Sequence, residues 1–143
     1  MTIDVLRISS DKKELDIDII HTFLHNHAAW SKGISRETVE RAIEASLCFG
    51  AYVGSSQIGF ARVVTDMATF GYLCDVFILP EYRSRGYAAA LMDHIFDSNL
   101  LKHLRRIVLV TTNAHEVYRP HGFGALANPE RYMELYRPDI YSG

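Results

Sequence analysis

Between Arg83 and Ala88 the chain reads R-S-R-G-Y-A, with two guanidiniums and one glycine between a strand-like apolar run and an Ala/Leu-rich, helix-like one. At such a junction the first N–H groups of the helix have no partner within it, and the positive end of its dipole faces outward. That is an anion-binding geometry. Gly86 lets a ligand approach the backbone because it has no Cβ, and Arg83 and Arg85 can add charge-assisted hydrogen bonds to phosphate oxygens. A pyrophosphate suits the turn, while a plain helix start with two solvated arginines is the competing reading, and a lone R-x-x-G-x-A does not separate them. Other phosphate loops fit worse. A Walker A loop needs Lys and then Ser/Thr after its last glycine, where this chain has Tyr87-Ala88. A dinucleotide fingerprint needs three small positions and an acidic residue ending the next strand, which here ends in Thr111-Thr112.

Other residues also invite chemistry. Asp75 is the sole carboxylate in the apolar run 69–79, and a charge there is costly unless it is paired or performs a function. Arg62 lies in a second alternating run with Ile58, Phe60 and Val64, so it is expected to point with apolar neighbours and to pair with an acid or an anionic substrate group. His21 and His25 have the i, i+4 spacing of a helical metal site, but no Glu completes an H-E-x-x-H pattern, and no metal is expected. Cys74 adjoins Asp75 without an evident His or Asn constellation, so a buried thiol is preferred to an acyl-cysteine route.

The elements that must position these groups follow from periodicity. Residues 3–8 are strand-like, and Leu15, Ile19, Ile20, Phe23 and Leu24 recur at helical spacing as far as about His27. A second helix carries Val39, Ile43 and Leu47 with Ser35 as its N-cap. The period then falls to two on both sides of Gly54-Ser55-Ser56, which predicts a hairpin. A third strand over 69–79 stops at Pro80, and Ala88, Leu91, Met92, Ile95 and Phe96 form the stripe of a helix. The run 105–112 reads as a strand apolar on both faces and therefore buried. A short helix at 114–119, a turn at His121-Gly122 and a last strand near 131–137 complete the reading. Strand, helix, strand predicts a parallel crossover.

Composition bounds the partners. The 143 residues suit one domain, 1–143, with no internal repeat or dividing linker, and 48% hydrophobic content can build a core. A net charge of −2, from 15 basic and 17 acidic residues, offers no broad field for nucleic acid or an anionic membrane. Two cysteines, no apolar stretch near the ~20 residues of a membrane span and no signal-peptide pattern lead to the expectation of a reduced, cytoplasmic setting. A homodimer is compatible with the sequence.

Taken together, DVFILP, then R-x-x-G-x-A, then a helix and strand, then NAHEVYRPHGF from Asn113 to Phe123 resemble the GNAT N-acetyltransferase superfamily. Its signature joins a hydrophobic strand ending near Pro, the Q/R-x-x-G-x-G/A loop and a Tyr four residues before Gly-Phe. The likeness covers nearly the whole chain and is closest to small bacterial-type members of unassigned substrate. It implies a mixed α/β fold: a mostly antiparallel central sheet with one parallel, splayed strand pair and flanking helices. It also implies acetyl-CoA as co-substrate, without a metal, and a primary amine of a small molecule or protein as acceptor. The diphosphate would meet the amides of Arg83, Ser84, Arg85, Gly86, Tyr87 and Ala88, and the pantetheine arm would pair with Val76, Phe77 and Ile78, with Asn113 also on the cofactor side.

The implied chemistry is direct attack by a neutral amine on the thioester. It requires removal of a proton, an oxyanion donor, which the sequence leaves unassigned, and protonation of the departing thiolate. Tyr118 matches the superfamily's tyrosine and is the candidate acid, with packing as its alternative role. Asp75 is either the base, an attractor of a cationic amine, or a residue that ties down a loop, and water-mediated deprotonation would need none of these. Trp30, in the loop between the first helices, and Tyr132 fall in regions that border the acceptor side in the superfamily. The alternative function is a non-catalytic CoA-binding sensor or interaction module, which needs the loop but not Tyr118.

Overall fold

The computed structural model describes residues 5–142 of the chain; residues 3 and 4 of the first predicted strand lie outside them. Strand β1, Leu6–Ser9, leads into helix α1, Ile17–Thr22, which runs on into a wider π-helical turn, Phe23–His27. Asp16 starts α1 by accepting from the Ile19 amide at 3.2 Å. Helix α2, Arg36–Glu44, begins at Ser35, whose Oγ accepts from the Thr38 amide at 3.1 Å, as the sequence predicts.

The predicted hairpin is present as β2, Leu47–Val53, and β3, Ser56–Thr65, turning at Gly54 with φ +61°. Strand β4, Phe70–Ile78, follows, and a 3-10 turn opening at Pro80 ends it. Helix α3, Tyr87–Asp97, returns the chain to β5, Arg106–Leu109, and a one-turn helix α4, His115–Tyr118, comes next.

The five strands lie in chain order, antiparallel except for the parallel pair β4 and β5. This is the mixed α/β sheet with flanking helices that the sequence predicts. Alternation sends the two faces of the sheet into two cores. On one side Phe49, Ala61, Val63 and Leu73 pack under Leu91, Met92 and Ile95 of α3, together with Tyr118. On the other side Cys48, Phe60 and Phe77 pack under Ile20, Phe23, Val39 and Ile43, with the Phe77 ring stacked on Phe23 at 4.0 Å. Among the described residues no helix is long and apolar enough to cross a membrane.

Three sequence expectations are corrected. The run 105–112 is not a strand buried on both faces: β5 spans four residues, pairs on one side only among the described residues and is half-exposed, and Val110 beyond it is 84% exposed. An apolar run reads alike in a central strand and in an edge strand. The strand near 131–137 does not form; residues 132–137 belong to no helix or strand, and every residue from 124 to 142 is exposed. An alternating pattern makes a strand only where a neighbour supplies hydrogen bonds. Finally, Arg62 does not share a face with all its alternating neighbours. The register shift opposite Ala51 and Tyr52 turns Ile58 into the α3-side core, while Arg62 stays on the Phe60 side and Val64 is exposed.

Candidate functional site

The β4–β5 ladder joins Phe70 through Leu73 to Arg106 through Leu109 and stops there. Beyond it, β4 continues from Cys74 to Ile78 and, among the described residues, pairs only with β3. A bulge falls at the point of separation: Phe60 faces Phe77 and Arg62 faces Cys74, so Asp75 and Val76 together oppose Ala61. Asp75 sits in the left-handed region, φ +53°, where Asp is among the few non-glycine residues found. The bulge bends β4 just where it parts from β5. The parted strands leave the β5 side of Val76, Phe77 and Ile78 without a ladder.

Above this opening the chain turns into α3 through two left-handed residues, Ser84 with φ +63° and Gly86 with φ +82°. Alternating backbone hands of this kind aim successive N–H groups into one concavity. Among the described residues no side chain caps α3, and a Cβ built on Gly86 meets no atom within 4 Å, so the space in front of the turn is open. Arg83 turns back and donates from Nε to the Ile78 carbonyl at 3.0 Å, tying the turn to the end of β4. The Arg85 guanidinium lies over the Tyr82 ring at 5.4 Å.

A cleft of about 530 Å³ lies in front of this turn, between it and the segment 116–121. Of the predicted cofactor residues, Ile78, Arg83, Ser84, Gly86, Tyr87 and Ala88 line it; Val76, Phe77, Arg85 and Asn113 do not. Sequence reasoning left out Tyr82, Ala89, Asp93, Glu116, Val117 and Pro120, which also line it, as does His121 of the predicted turn. Part of this was legible: Gly86, Ala89 and Asp93 share one helical face. The approach of 116–121 depends on tertiary packing, including the Phe96 ring against His121 at 5.4 Å and against Phe123 at 5.1 Å.

Tyr118 follows the lining residue Val117 but is not itself among the residues that line the cleft; it is buried, its ring edge-on to Phe123 at 6.0 Å. Its hydroxyl makes no hydrogen bond among the described residues and is not sealed from solvent. Burial raises its pKa above the ordinary tyrosine value, so the group keeps its proton at neutral pH.

Asp75 projects to the other face of the sheet and meets two of the predicted acceptor-side residues. Its Oδ1 accepts from Trp30 Nε1 at 2.9 Å and its Oδ2 from Arg62 Nε at 2.9 Å, while Arg62 Nη1 donates to Ser46 Oγ at 3.0 Å. The Trp30 ring itself stays exposed. Burial pushes the neighbouring Cys74 thiol up to about 12 and Cys48 to about 11, which removes both as thiolate nucleophiles near neutral pH. Tyr132 joins neither group; its ring lies 5.9 Å from the Arg106 guanidinium at the start of β5. His21 and His25 both reach the Ile34 carbonyl, at 3.1 and 2.8 Å, and so hold the loop that carries Trp30.

Residues 17–123 match the family model described as the acetyltransferase (GNAT) family. A Gibberella zeae protein, named as a candidate acetyltransferase, is 30% identical over 148 aligned residues, covering 90% of this chain and 81% of its own. A crystal structure from Xanthomonas campestris, of a protein assigned to the same family, is 45% identical with a TM-score of 0.95, covering 99% of this chain and 100% of its own. A structure from Clostridium acetobutylicum, described as containing acetyl-CoA, is 17% identical with a TM-score of 0.65, covering 94% and 96%. At that identity the likeness is one of fold.

Proposed function

The chain belongs to the acetyltransferase (GNAT) family and is an acyltransferase, and on that premise we propose that it transfers an acetyl group from acetyl-CoA to a primary amine by direct attack. The observation that carries the proposal is the coincidence of parted strands and an anion turn. The half of β4 that lacks a β5 partner leads through Pro80 into the Ser84–Gly86 turn and the uncapped start of α3. A ligand with a diphosphate and an amide-bearing arm satisfies both features at once: the turn amides take the phosphates, and the unpaired edge of β4 takes the arm. The acetyl-CoA described in the Clostridium acetobutylicum structure supports this reading for the shared fold.

Tyr118 is the proposed acid. As the amine nitrogen bonds to the acetyl carbon, the carbon–sulfur bond breaks, and the Tyr118 hydroxyl gives its proton to the departing sulfur; solvent then restores it. The raised pKa suits a donor that must enter the reaction protonated. The amine's own proton goes to water. Asp75 is poorly suited to take it, because both its oxygens already accept hydrogen bonds and one belongs to an ion pair with Arg62. Its proposed role is to hold Trp30 and the bulge, which shapes the acceptor side. The two thiols above their usual range weigh against an acyl-cysteine intermediate.

Calorimetry tests the co-substrate directly. Acetyl-CoA should bind at least about 10-fold more tightly than ADP, because only the former has an arm for β4. Equal affinities would mean that the turn recognises a diphosphate alone, and the proposal would fail.

A further inference from the structure

The sheet face turned away from α3 carries an apolar surface where β4 and β5 part. Tyr72 pairs with Val64 of β3 on one side and with Val108 of β5 on the other, so the three side chains form one row on this face. Leu73, Ile107 and Leu109 alternate with them and point into the α3 core. In the next row Arg62 lies beside Cys74, and the bulge adds Asp75. The core under α1 and α2 reaches Phe60 and Phe77 on this face but does not include the Tyr72 row. Val64 is 43% exposed, and Tyr72, Cys74 and Val108 are half-buried. Trp30 joins this surface through its indole N–H on Asp75 and is 57% exposed.

We infer that the acceptor of the proposed reaction is a monoamine on an apolar, aromatic body, the body packed against Trp30 and Tyr72 and the amine at the gap between β4 and β5. The inference rests on the amine-acceptor reading above and adds its substrate class. Two observations select this occupant. The first is charge. Asp75 is the only acidic residue in β2 to β5, and both its oxygens are taken, by Trp30 and by Arg62, while Arg62 Nη1 is spent on Ser46. A pair neutralised in this way offers no carboxylate to a second ammonium, as in a polyamine, and no unmatched guanidinium to a carboxylate beside the amine. Arg106 shares the face, but it pairs with Phe70, three residues back from the end of the ladder at Leu73. That is about 10 Å along the strand, beyond the reach of an α-carboxylate. The second observation is rigidity. Asp75 fixes the Trp30 ring by its N–H, and His21 and His25 both hold the loop through the Ile34 carbonyl. An exposed ring set in place beforehand loses little freedom when an apolar body stacks on it.

Calorimetry on the full chain in the presence of CoA tests it without turnover. Phenethylamine should bind at least about 10-fold more tightly than spermidine, alanine or a short peptide with a free N-terminus, the worth of one well-packed aromatic contact. Trp30 is the only tryptophan, so its emission should change saturably over the same titration. Trp30→Leu should weaken phenethylamine binding by about 10-fold and leave spermidine unchanged, and Trp30→Phe, which keeps an aromatic face, should recover most of the loss. Should Trp30→Leu misfold, Tyr72→Leu gives the same readout. Spermidine, alanine or the peptide bound as tightly as phenethylamine overturns the inference. So does phenethylamine that fails to bind at millimolar concentration, or that binds a folded Trp30→Leu variant with unchanged affinity. Failure of the reaction is read by absent thiol release and failure of the preference by binding, so the two are distinguishable.

Discussion

Replacing Asp75 by Asn separates a structural role from a catalytic one. Asn tolerates the left-handed backbone that Asp75 occupies at φ +53°, so the bulge itself is not strained by the change. What changes is the ion pair. Asp75 and Arg62 meet at 2.9 Å with their side chains only 12% and 18% exposed, and Trp30 claims the second oxygen. The Asn side chain has one acceptor where two are needed, and it leaves the Arg62 guanidinium half-satisfied by Ser46 alone. Losing a charge-assisted hydrogen bond costs about 1.5–3 kcal/mol, and stranding a buried partner costs about 3–5 kcal/mol. Because both groups retain some solvent, a loss of about 3 kcal/mol is expected, or roughly 10 °C in Tm for a domain of this size. Urea unfolding followed by the fluorescence of Trp30, the only tryptophan, reads it at the site. Replacing Arg62 with Met in the same chain should recover most of the loss, as a double-mutant cycle requires. The alkaline rise of kcat/KM should keep its position. A variant with unchanged stability but a shifted pH profile would show that Asp75 is the base after all.

Further outcomes follow from the same geometry. Gly86→Ala places a Cβ in open space but at φ +82°, so it should cost about 1–2 kcal/mol of stability and weaken acetyl-CoA binding by about 10-fold, both read by calorimetry. Tyr118→Phe keeps the ring against Phe123 and removes the proton donor, so kcat should fall roughly 10²-fold while acetyl-CoA affinity and Tm stay near wild type. Stability should fall in alkali. The thiols of Cys48 and Cys74 hold their protons to about 11 and about 12 when folded, against 9.0 when free, so between those values the unfolded chain binds fewer protons. The stabilisation is full below pH 9 and is lost as pH rises through the folded values, at up to about 2.7 kcal/mol per pH unit while both are engaged. Urea titrations from pH 8 to about pH 10 measure that slope, and a flat profile would contradict the burial argument.

Local signals were the most legible. Ser35 caps α2, Gly54 turns the hairpin and Pro80 closes β4, because each acts through the backbone of its immediate neighbours. The turn at Ser84 and Gly86 was legible for the same reason, and Asp75 stood out as a charge in an apolar run. Its partners were less legible. Trp30 lies 45 residues away and Arg62 lies 13 away, and no spacing rule joins them; they meet because the bulge aims Asp75 across the sheet. The edge position of β5 was invisible, since Ile107, Val108 and Leu109 would suit a central strand equally well. The apolar pattern near 131–137 suits a strand, yet no strand pairs with it among the described residues. Periodicity reports which residues seek burial; it does not say whether the partner lies in the same chain.

The proposed acetyl transfer from acetyl-CoA to a primary amine is tested most directly by the rate of free thiol release from acetyl-CoA across a panel of primary amines. Release that depends on the amine, saturates with acetyl-CoA and yields the acetylated amine by mass spectrometry is the predicted result. Acetyl-CoA that binds but gives no amine-dependent thiol with any member of a broad panel, small molecules and peptide amines alike, would contradict it.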